Sequence, residues 1–266
     1  MISDLTVRLW RLLGSVLAWI LYLFLLLPTL VVVPIAFGDG TDMQFPPRRF
    51  SLTLFDRFFA DATWTNALIT SAEVATASAI LALIVGVPAA YGLSRADIKA
   101  RWAVQMVLLS PLLVPTIVLA LGVYLYFGFA GLAGTKTGLI LAHTAYVLPF
   151  VIVTASSGLK ALDARVEHAA EVLGASRFAV MRFVVVPQLM PTVLVSLLFA
   201  FLMSFDEVVL AWFLSGTSAT TLPVKMFTAI HWEVSPVLAA VATLLTAISA
   251  AACLGAAYLK RGKRDV

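Results

Sequence analysis

The sequence predicts an all-α membrane protein with six transmembrane helices. Of its 266 residues, 62% are hydrophobic and only 12% are charged, whereas about a quarter of the residues in a soluble domain are charged. The apolar residues are concentrated in runs of the length that a helix needs to cross a bilayer, which is about 20 residues. Basic residues gather in alternate segments between these runs. We therefore expect one transmembrane domain covering residues 1–266.

Six apolar runs are expected to span the membrane. They cover residues 12–35, 68–93, 102–129, 138–159, 191–214 and 235–259. The first run is longer than the apolar part of a signal peptide, and no convincing small-residue cleavage site follows it, so we interpret it as a span. Prolines in or near the runs are expected to kink the helices, which neighbouring helices make tolerable in a membrane. These are Pro28, Pro88, Pro115 and Pro149.

The distribution of Lys and Arg predicts the orientation. With six spans, both termini lie on the same side as the loops that follow the second and fourth spans. This side holds 13 of the 18 basic residues, and cytoplasmic loops are the ones enriched in Lys and Arg. The sequence therefore predicts a multi-pass membrane protein with both termini in the cytoplasm. Orientation also explains the net charge of +4 without a nucleic-acid partner.

No pattern in the sequence is typical of an enzyme. We find no glycine-rich phosphate loop, no cluster with metal-ligand spacing and no arrangement of Ser, His and Asp typical of catalysis. The single cysteine, Cys253, lies in an apolar run and is expected to pack there. We expect a chain without catalytic residues, metal or cofactor of its own.

The loop between the fourth and fifth spans, residues 160–190, is unusually long. Its segment 164–173 contains good helix formers, and Gly174 is suited to end that helix. A second short helix is expected over 176–183, before Pro187. A structured helix–glycine–helix on the cytoplasmic side is typical of a surface that docks onto a soluble partner. The alternative is a solvated amphipathic connector.

The stretch "EHAAEVLGAS" followed by "VVVP" resembles the EAA loop of ABC importer permeases. The family pattern is Glu-Ala-Ala, three residues, Gly, nine residues and then Ile-x-Leu-Pro. The matching positions in this chain are Ala169, Ala170, Gly174, Val184, Val186 and Pro187. The chain departs from the pattern at its Glu position, where His168 stands directly after Glu167.

This resemblance implies the fold and the partners of a type I importer permease, the MetI-like fold. Such a permease has six transmembrane helices with a cytoplasmic coupling helix between the fourth and fifth. It works with two copies of a cytoplasmic ATPase, which bind ATP and magnesium, with a second permease chain, here expected to be a different one, and with a periplasmic solute-binding protein. The implied location is the bacterial inner membrane. The implied coupling residues are Glu167, His168, Ala169, Ala170, Gly174, Ala175 and Pro187.

Two adjacent acids, Asp206 and Glu207, lie in the predicted fifth span. An ionised carboxylate in hydrocarbon costs about 2.5–3.5 kcal/mol on insertion scales, and no Lys or Arg lies within the six runs. Adjacent residues of a helix point about 100° apart, so one acid can face a water-filled path while the other faces a partner helix. Protonation would remove the charge, and hydrogen bonds, water, a second subunit or a cationic substrate would each stabilise it.

The stretch "SFDEVVLAWFLSGTSATTLPVKMFTAI" resembles the spermidine/putrescine branch of these permeases, and so does "VSPVLAAVATLL". The resemblance implies a polyamine as the solute. An acid would supply charge to this polycation, and nearby aromatic rings would supply cation–π contacts; the alternative is that the rings only pack against helices or lipid. The expected pathway residues are Asp206, Glu207, Phe205, Phe201 and Trp212.

Three other functions stay open at this point. The same importer role could serve an opine, an amino-acid derivative, thiamine or a sulfate-like anion, although the acids disfavour an anion. A proton-coupled secondary transporter would use Asp206, Glu207 or His143 as its proton site, but it is disfavoured because no inverted repeat is visible. A channel or structural membrane protein would leave the loop 160–190 unexplained.

Overall fold

The computed structural model describes residues 4–40, 43–95, 100–216, 219–233 and 235–261, and within these ranges the regular structure is helical, with no β-strand. The α-helices are α1 (Asp4–Ala36), α2 (Thr53–Ala60), α3 (Ala62–Arg95), α4 (Arg101–Leu113), α5 (Thr116–Phe129), α6 (Lys136–Lys160), α7 (Ala164–Val172), α8 (Arg177–Val180), α9 (Val186–Phe205), α10 (Val209–Leu214), α11 (Leu222–Thr228) and α12 (Val237–Arg261). π-Helical turns occupy Met181–Val185 and Ala229–Glu233. The side chain of Cys253 and residues 262–266 lie outside the described part.

Several helices have the length and composition needed to cross a membrane. In the described residues, four stretches qualify, and they are Trp10–Ala36, Ala62–Arg95, Lys136–Lys160 and Arg177–Phe205. The pair α4 and α5 counts as a fifth if its two bent helices form one span. α12 covers most of the expected sixth span, and its described apolar stretch is Val237–Ala251. The predicted all-α membrane class is confirmed, and the number of six spans stays a prediction.

The expected third span, 102–129, consists of two helices. α4 ends at Leu113, α5 begins at Thr116, and the two helices are bent by 102°. Proline lacks a backbone N–H and keeps the residue before it out of the helical region. Val114, which precedes Pro115, is accordingly extended with φ −90° and ψ 129°. The single helix that the apolar run suggests is therefore not formed.

The expected fifth span, 191–214, is also interrupted. α9 begins earlier, at Val186, and ends at Phe205, and the short α10 follows after a break at residues 206–208. The N–H of Asp206 closes the last turn of α9 by donating to the Leu202 carbonyl at 3.0 Å. The carboxylate of Glu207 accepts a hydrogen bond from the N–H of Leu210 at 2.9 Å. This side chain competes with the helical backbone for that N–H, which favours ending one helix and starting another.

The described chain forms two compact units, and the single transmembrane domain over residues 1–266 stays a prediction. The first unit joins Met1–Thr65 to Thr228–Val266, because α1 and α2 both pack against α12. In this unit the segment after α1 is held by a hydrogen bond from Arg57 Nη1 to the Gly40 carbonyl at 2.8 Å.

The second unit, Asn66–Phe227, contains both candidate sites. Its central helix is α6, which packs against α4, α9 and α10. Small residues let α6 and α9 come close, as they commonly do in membrane helix pairs. A Cβ added to Gly158 would lie 2.6 Å from Thr192 Oγ1, and the hydroxyls of Thr154 and Ser196 are 2.6 Å apart. α6 leads into the loop that carries α7, and α9 leads into the break that carries the two acids.

Candidate functional site

α7 is the helix that the sequence predicts in the loop after α6, and it ends at a glycine. Gly174 has a φ of +92°, in the left-handed region that favours glycine. Its N–H donates to the Glu171 carbonyl at 2.9 Å, and the N–H of Ala175 donates to the Ala170 carbonyl at 3.0 Å. These two bonds define a Schellman motif. The expectation that Gly174 ends the helix is confirmed.

The second helical piece of the loop is shorter than predicted and continues into α9. The sequence predicts a helix over 176–183, whereas α8 covers Arg177–Val180 and is followed by the π-helical turn. Pro187 is the second residue of α9, which directly follows the π-helical turn. Residues 164–190 thus form a helix, an elbow at Gly174 and a helix continuous with a candidate span.

Glu167 points into the protein and is fully hydrogen-bonded. Its side chain is only 9% exposed. Arg95, the last residue of α3, donates from Nε and Nη2 to Glu167 Oε1 at 3.0 and 2.7 Å. The Tyr91 hydroxyl donates to Oε2 at 2.9 Å. Sequence reasoning missed Tyr91 and Arg95, whose only signal is a spacing of four residues, which places them on one face of a helix.

The other side of the elbow carries exposed apolar side chains. Val172 and Leu173 are each 87% exposed, and Phe178 is 73% exposed; we refer to these three residues as the elbow surface. His168 is also exposed, and its Nδ1 lies 3.5 Å from the Glu171 carboxylate. Grouped exposed apolar side chains of this size are typical of an interaction surface.

The remaining predicted coupling residues fall on both sides of the loop. Ala169 and Pro187 are exposed. Ala170 and Ala175 pack against the core cluster of the second unit. The motif positions therefore serve two surfaces, one turned into the protein and one turned away from it.

The two acids at the break between α9 and α10 have different surroundings. Glu207 is buried, and its carboxylate accepts from the Leu210 N–H at 2.9 Å and interacts with the Tyr146 side chain. Asp206 is exposed, and the described part of the chain offers it no ion pair within 4 Å. The hydrogen bond offsets part of the cost of burying Glu207, whereas the charge of Asp206 is open to a ligand.

The predicted aromatic residues form two groups near the acids. Phe201 and Phe205 stack with their ring centroids 5.7 Å apart on the last turns of α9. Trp212 lies on α10, where its ring centroid is 5.3 Å from that of Phe227, and it is 55% exposed. The Phe pair is half-buried, so Trp212 presents the larger free aromatic surface on this part of the chain.

His143 is buried next to the same break. Its Nδ1 is 2.9 Å from the Ser204 hydroxyl and 3.1 Å from the Ser204 carbonyl. This contact ties α6 to the end of α9.

Comparison with known families identifies the class of the chain. The family model described as "Binding-protein-dependent transport system inner membrane component" matches residues 82–264. This match covers most of the chain, including the loop 160–190 and the acidic break. The chain belongs to this family. It is a transport subunit of the bacterial inner membrane and not an enzyme.

Two curated relatives are similar to this permease over most of their length. The spermidine/putrescine transport system permease protein PotC of Haemophilus influenzae is 32% identical over 234 residues, which is 88% of this chain and 90% of that protein. The putrescine transport system permease protein PotI of Escherichia coli is 30% identical over 232 residues, covering 84% of this chain and 82% of that protein.

Solved structures with the same fold come from a bacterial ABC transporter that imports the acidic polysaccharide alginate. One chain has a TM-score of 0.75 at 16% identity, covering 96% of the permease and 98% of that chain. In another, the transporter is in complex with an alginate-bound periplasmic protein, and the TM-score is 0.71 at 16% identity, covering 92% and 91%. At this identity the likeness shows the fold alone.

Proposed function

We propose that this permease imports a polyamine, such as putrescine or spermidine, as one subunit of an ATP-driven transporter. The solutes named for PotC and PotI support the choice of solute. The observation that carries the proposal is Asp206, an exposed carboxylate at a break directly after a candidate membrane helix. An acid placed at such a point marks a functional site, and a polyamine is a cation that such an acid attracts.

The two acids have separate roles in this proposal. Asp206 contacts an ammonium group of the solute, and Trp212 adds a cation–π contact from α10. Glu207 holds the break in shape, because its carboxylate already accepts from Leu210 and interacts with Tyr146. The buried acid thereby keeps the exposed acid at the end of α9.

The proposed partners follow from the family and from the elbow surface. Two copies of a cytoplasmic ATPase bind ATP and magnesium, and each permease docks one of them through its elbow surface. A second, related permease chain completes the path, and a periplasmic binding protein delivers the solute. Both termini of the permease lie in the cytoplasm, in agreement with the distribution of basic residues.

Alternating access would use the connections of α7. Closure of the ATPases on ATP moves α7, and α7 is linked by chain to α6 before it and to α9 after it. These two helices pack along each other, so they move together and open the path outward. Hydrolysis and product release return the path to the inward-facing state.

The test is uptake of radiolabelled putrescine by the complete transporter in proteoliposomes with ATP inside. A charge-assisted hydrogen bond contributes about 1.5–3 kcal/mol, so Asp206→Asn is expected to raise the apparent KM roughly 10- to 100-fold. Asp206→Glu keeps the charge and is expected to retain most of the uptake. Glu207→Gln is expected to lower the rate of uptake through a looser break, with a smaller change in KM.

Three results would contradict the proposal. Unchanged kinetics of Asp206→Asn would remove the acid from the solute path. Failure of putrescine and spermidine to enter, with uptake of thiamine, an opine or another amino-acid derivative instead, would keep the importer and replace the solute. Uptake driven by a proton gradient without the ATPase would replace the importer by a secondary transporter.

A further inference from the structure

The structure assigns a positioning role in coupling to Tyr91 and Arg95. Together with Glu167 they form a clamp that holds the coupling helix α7 against the cytoplasmic end of α3. We refer to these three residues as the α3–α7 clamp. The inference rests on the proposed function, because it concerns how motion at the elbow surface reaches the membrane helices.

The clamp joins three helices through one carboxylate and one guanidinium. Arg95 donates to Glu167 Oε1 from two nitrogens, at 3.0 and 2.7 Å, and the Tyr91 hydroxyl donates to Oε2 at 2.9 Å. The Nη2 of Arg95 also donates to the Leu159 carbonyl in the last turn of α6, at 3.4 Å. α3, α6 and α7 therefore meet at this point.

The surroundings make this ion pair stronger than the others in the described residues. The side chains of Arg95 and Glu167 are 24% and 9% exposed, whereas those of Lys136 and Glu73 are 46% and 51% exposed. Water screens an exposed pair, so that it contributes little. A sheltered pair with additional hydrogen bonds is costly to break, because the remaining charge is left without a partner.

The clamp gives a role to the acid that precedes the motif's Glu position. His168 occupies the motif's Glu position and is exposed beside the elbow surface, while Glu167, one residue earlier, turns inward. Adjacent residues of a helix point about 100° apart, so a single turn of α7 offers one side chain to each side. Glu167 anchors the helix, and the exposed face is left for the ATPase.

Without the clamp, α7 would be attached to α6 by the short segment 161–163 and by the packing of Ala170, with no ion pair between them in the described residues. A push on the elbow surface would then turn α7 about this segment instead of displacing α3 and α6. With the clamp, the same push acts on the ends of two candidate membrane helices. The clamp thus determines how much solute is imported for each ATP that the ATPase hydrolyses.

The first experiment uses the purified permease in lipid nanodiscs and needs no ATPase. Hydrogen–deuterium exchange is measured for the backbone of residues 164–173 in the wild type, Glu167→Gln and Arg95→Gln. Both variants are expected to exchange there at least about tenfold faster, since they leave a sheltered charge unpaired. Glu73→Gln is the matched control, because it removes an exposed ion pair from the same helix α3; it is expected to exchange like the wild type. Wild-type exchange in both clamp variants would overturn the inference.

The second experiment uses the complete transporter in proteoliposomes and measures solute imported per ATP hydrolysed. Glu167→Gln and Arg95→Gln are expected to lower this ratio while ATP hydrolysis continues. The double variant Arg95→Glu with Glu167→Arg restores the pair in reverse and is expected to recover part of the ratio that either single substitution loses. A proportional fall of import and hydrolysis, with no change in their ratio, would show a structural role only and would overturn the inference. If the wild type itself imports nothing, the proposed function fails, while the exchange experiment still decides whether the clamp exists.

Discussion

Substitution of Gly174 can separate backbone strain from contact with a partner. Gly174 has a φ of +92°, and a Cβ built on it would meet no atom within 4 Å. An L-residue in the left-handed region costs about 1–2 kcal/mol. The cost of Gly174→Ala is therefore one of conformation and not of collision, and it corresponds to a change of about 5- to 30-fold in the population of the native elbow.

Gly174→Trp carries the same backbone strain with a much larger side chain. The neighbouring Val172 and Leu173 are strongly exposed, so this face of the chain has room for the indole. Any loss of transport beyond that of Gly174→Ala must then come from another molecule seated on the elbow surface. Gly174→Asn is the matched control for strain, since Asn adopts positive φ more readily than other residues.

The assay is ATP-dependent uptake, normalised to the amount of permease in the membrane. We expect near-normal uptake for Gly174→Asn, reduced uptake for Gly174→Ala and no uptake for Gly174→Trp, with similar amounts of protein in all three. Normal uptake by Gly174→Trp would refute the docking of the elbow surface onto the ATPase. Equal losses in the Ala and Trp variants would show that strain alone matters and that no partner lies close to this position.

Two further predictions concern the scaffold and the orientation. In Gly158→Ala the new Cβ would lie 2.6 Å from Thr192 Oγ1 and 2.9 Å from Leu189 Cδ1. We therefore expect the free energy of unfolding to fall by about 1–3 kcal/mol and the Tm in detergent to be lower. The control is Gly92→Ala, where no atom lies within 4 Å of the new Cβ; equal Tm values for the two variants would contradict the close approach of α6 and α9. Deletion of residues 260–266 removes only four of the 13 basic residues on the cytoplasmic side, so labelling of engineered cysteines should find the orientation unchanged, and an inverted permease would contradict the charge argument.

The features that the sequence predicts well are those decided by neighbouring residues. The helix ending at Gly174 follows from helix formers directly before a glycine, which is free to adopt the positive φ that a Schellman motif requires. The long apolar helices likewise follow from runs that are continuous in the chain. In both cases the information lies in consecutive residues of the chain, so no knowledge of the fold is needed.

The sequence predicts a kink at Pro115 but neither a complete break there nor the break at residues 206–208, because mean hydropathy does not distinguish one apolar helix from two. At Pro115 a local signal existed, since a proline disfavours helix in the residue before it, but many membrane helices tolerate such a kink. At residues 206–208 the break depends on Glu207 accepting from the Leu210 N–H. Glu207 also interacts with Tyr146, which is distant in sequence, so its surroundings could not be predicted from this stretch alone.

The α3–α7 clamp could not be predicted from the sequence either, because its residues are distant in the chain. Arg95 and Glu167 are 72 residues apart, and each alone has the ordinary interpretation of a cytoplasmic charge beside a membrane helix. Only the fold brings the end of α3 against α7. The motif comparison directs attention to residues 167 and 168 but does not say which of them faces inward.

A single physical distinction connects the two candidate sites. Each contains one carboxylate that the permease hydrogen-bonds within itself, Glu167 on α7 and Glu207 before α10. Each also presents a group that the described chain leaves open, the apolar elbow surface in the loop and the carboxylate of Asp206 at the break. A buried carboxylate without partners would be costly, so the satisfied acids are explained by folding alone. Exposed apolar side chains gain nothing from the fold of this chain, and an exposed carboxylate is solvated only until a cation replaces the water, so these two groups are the ones open to a partner and to a solute.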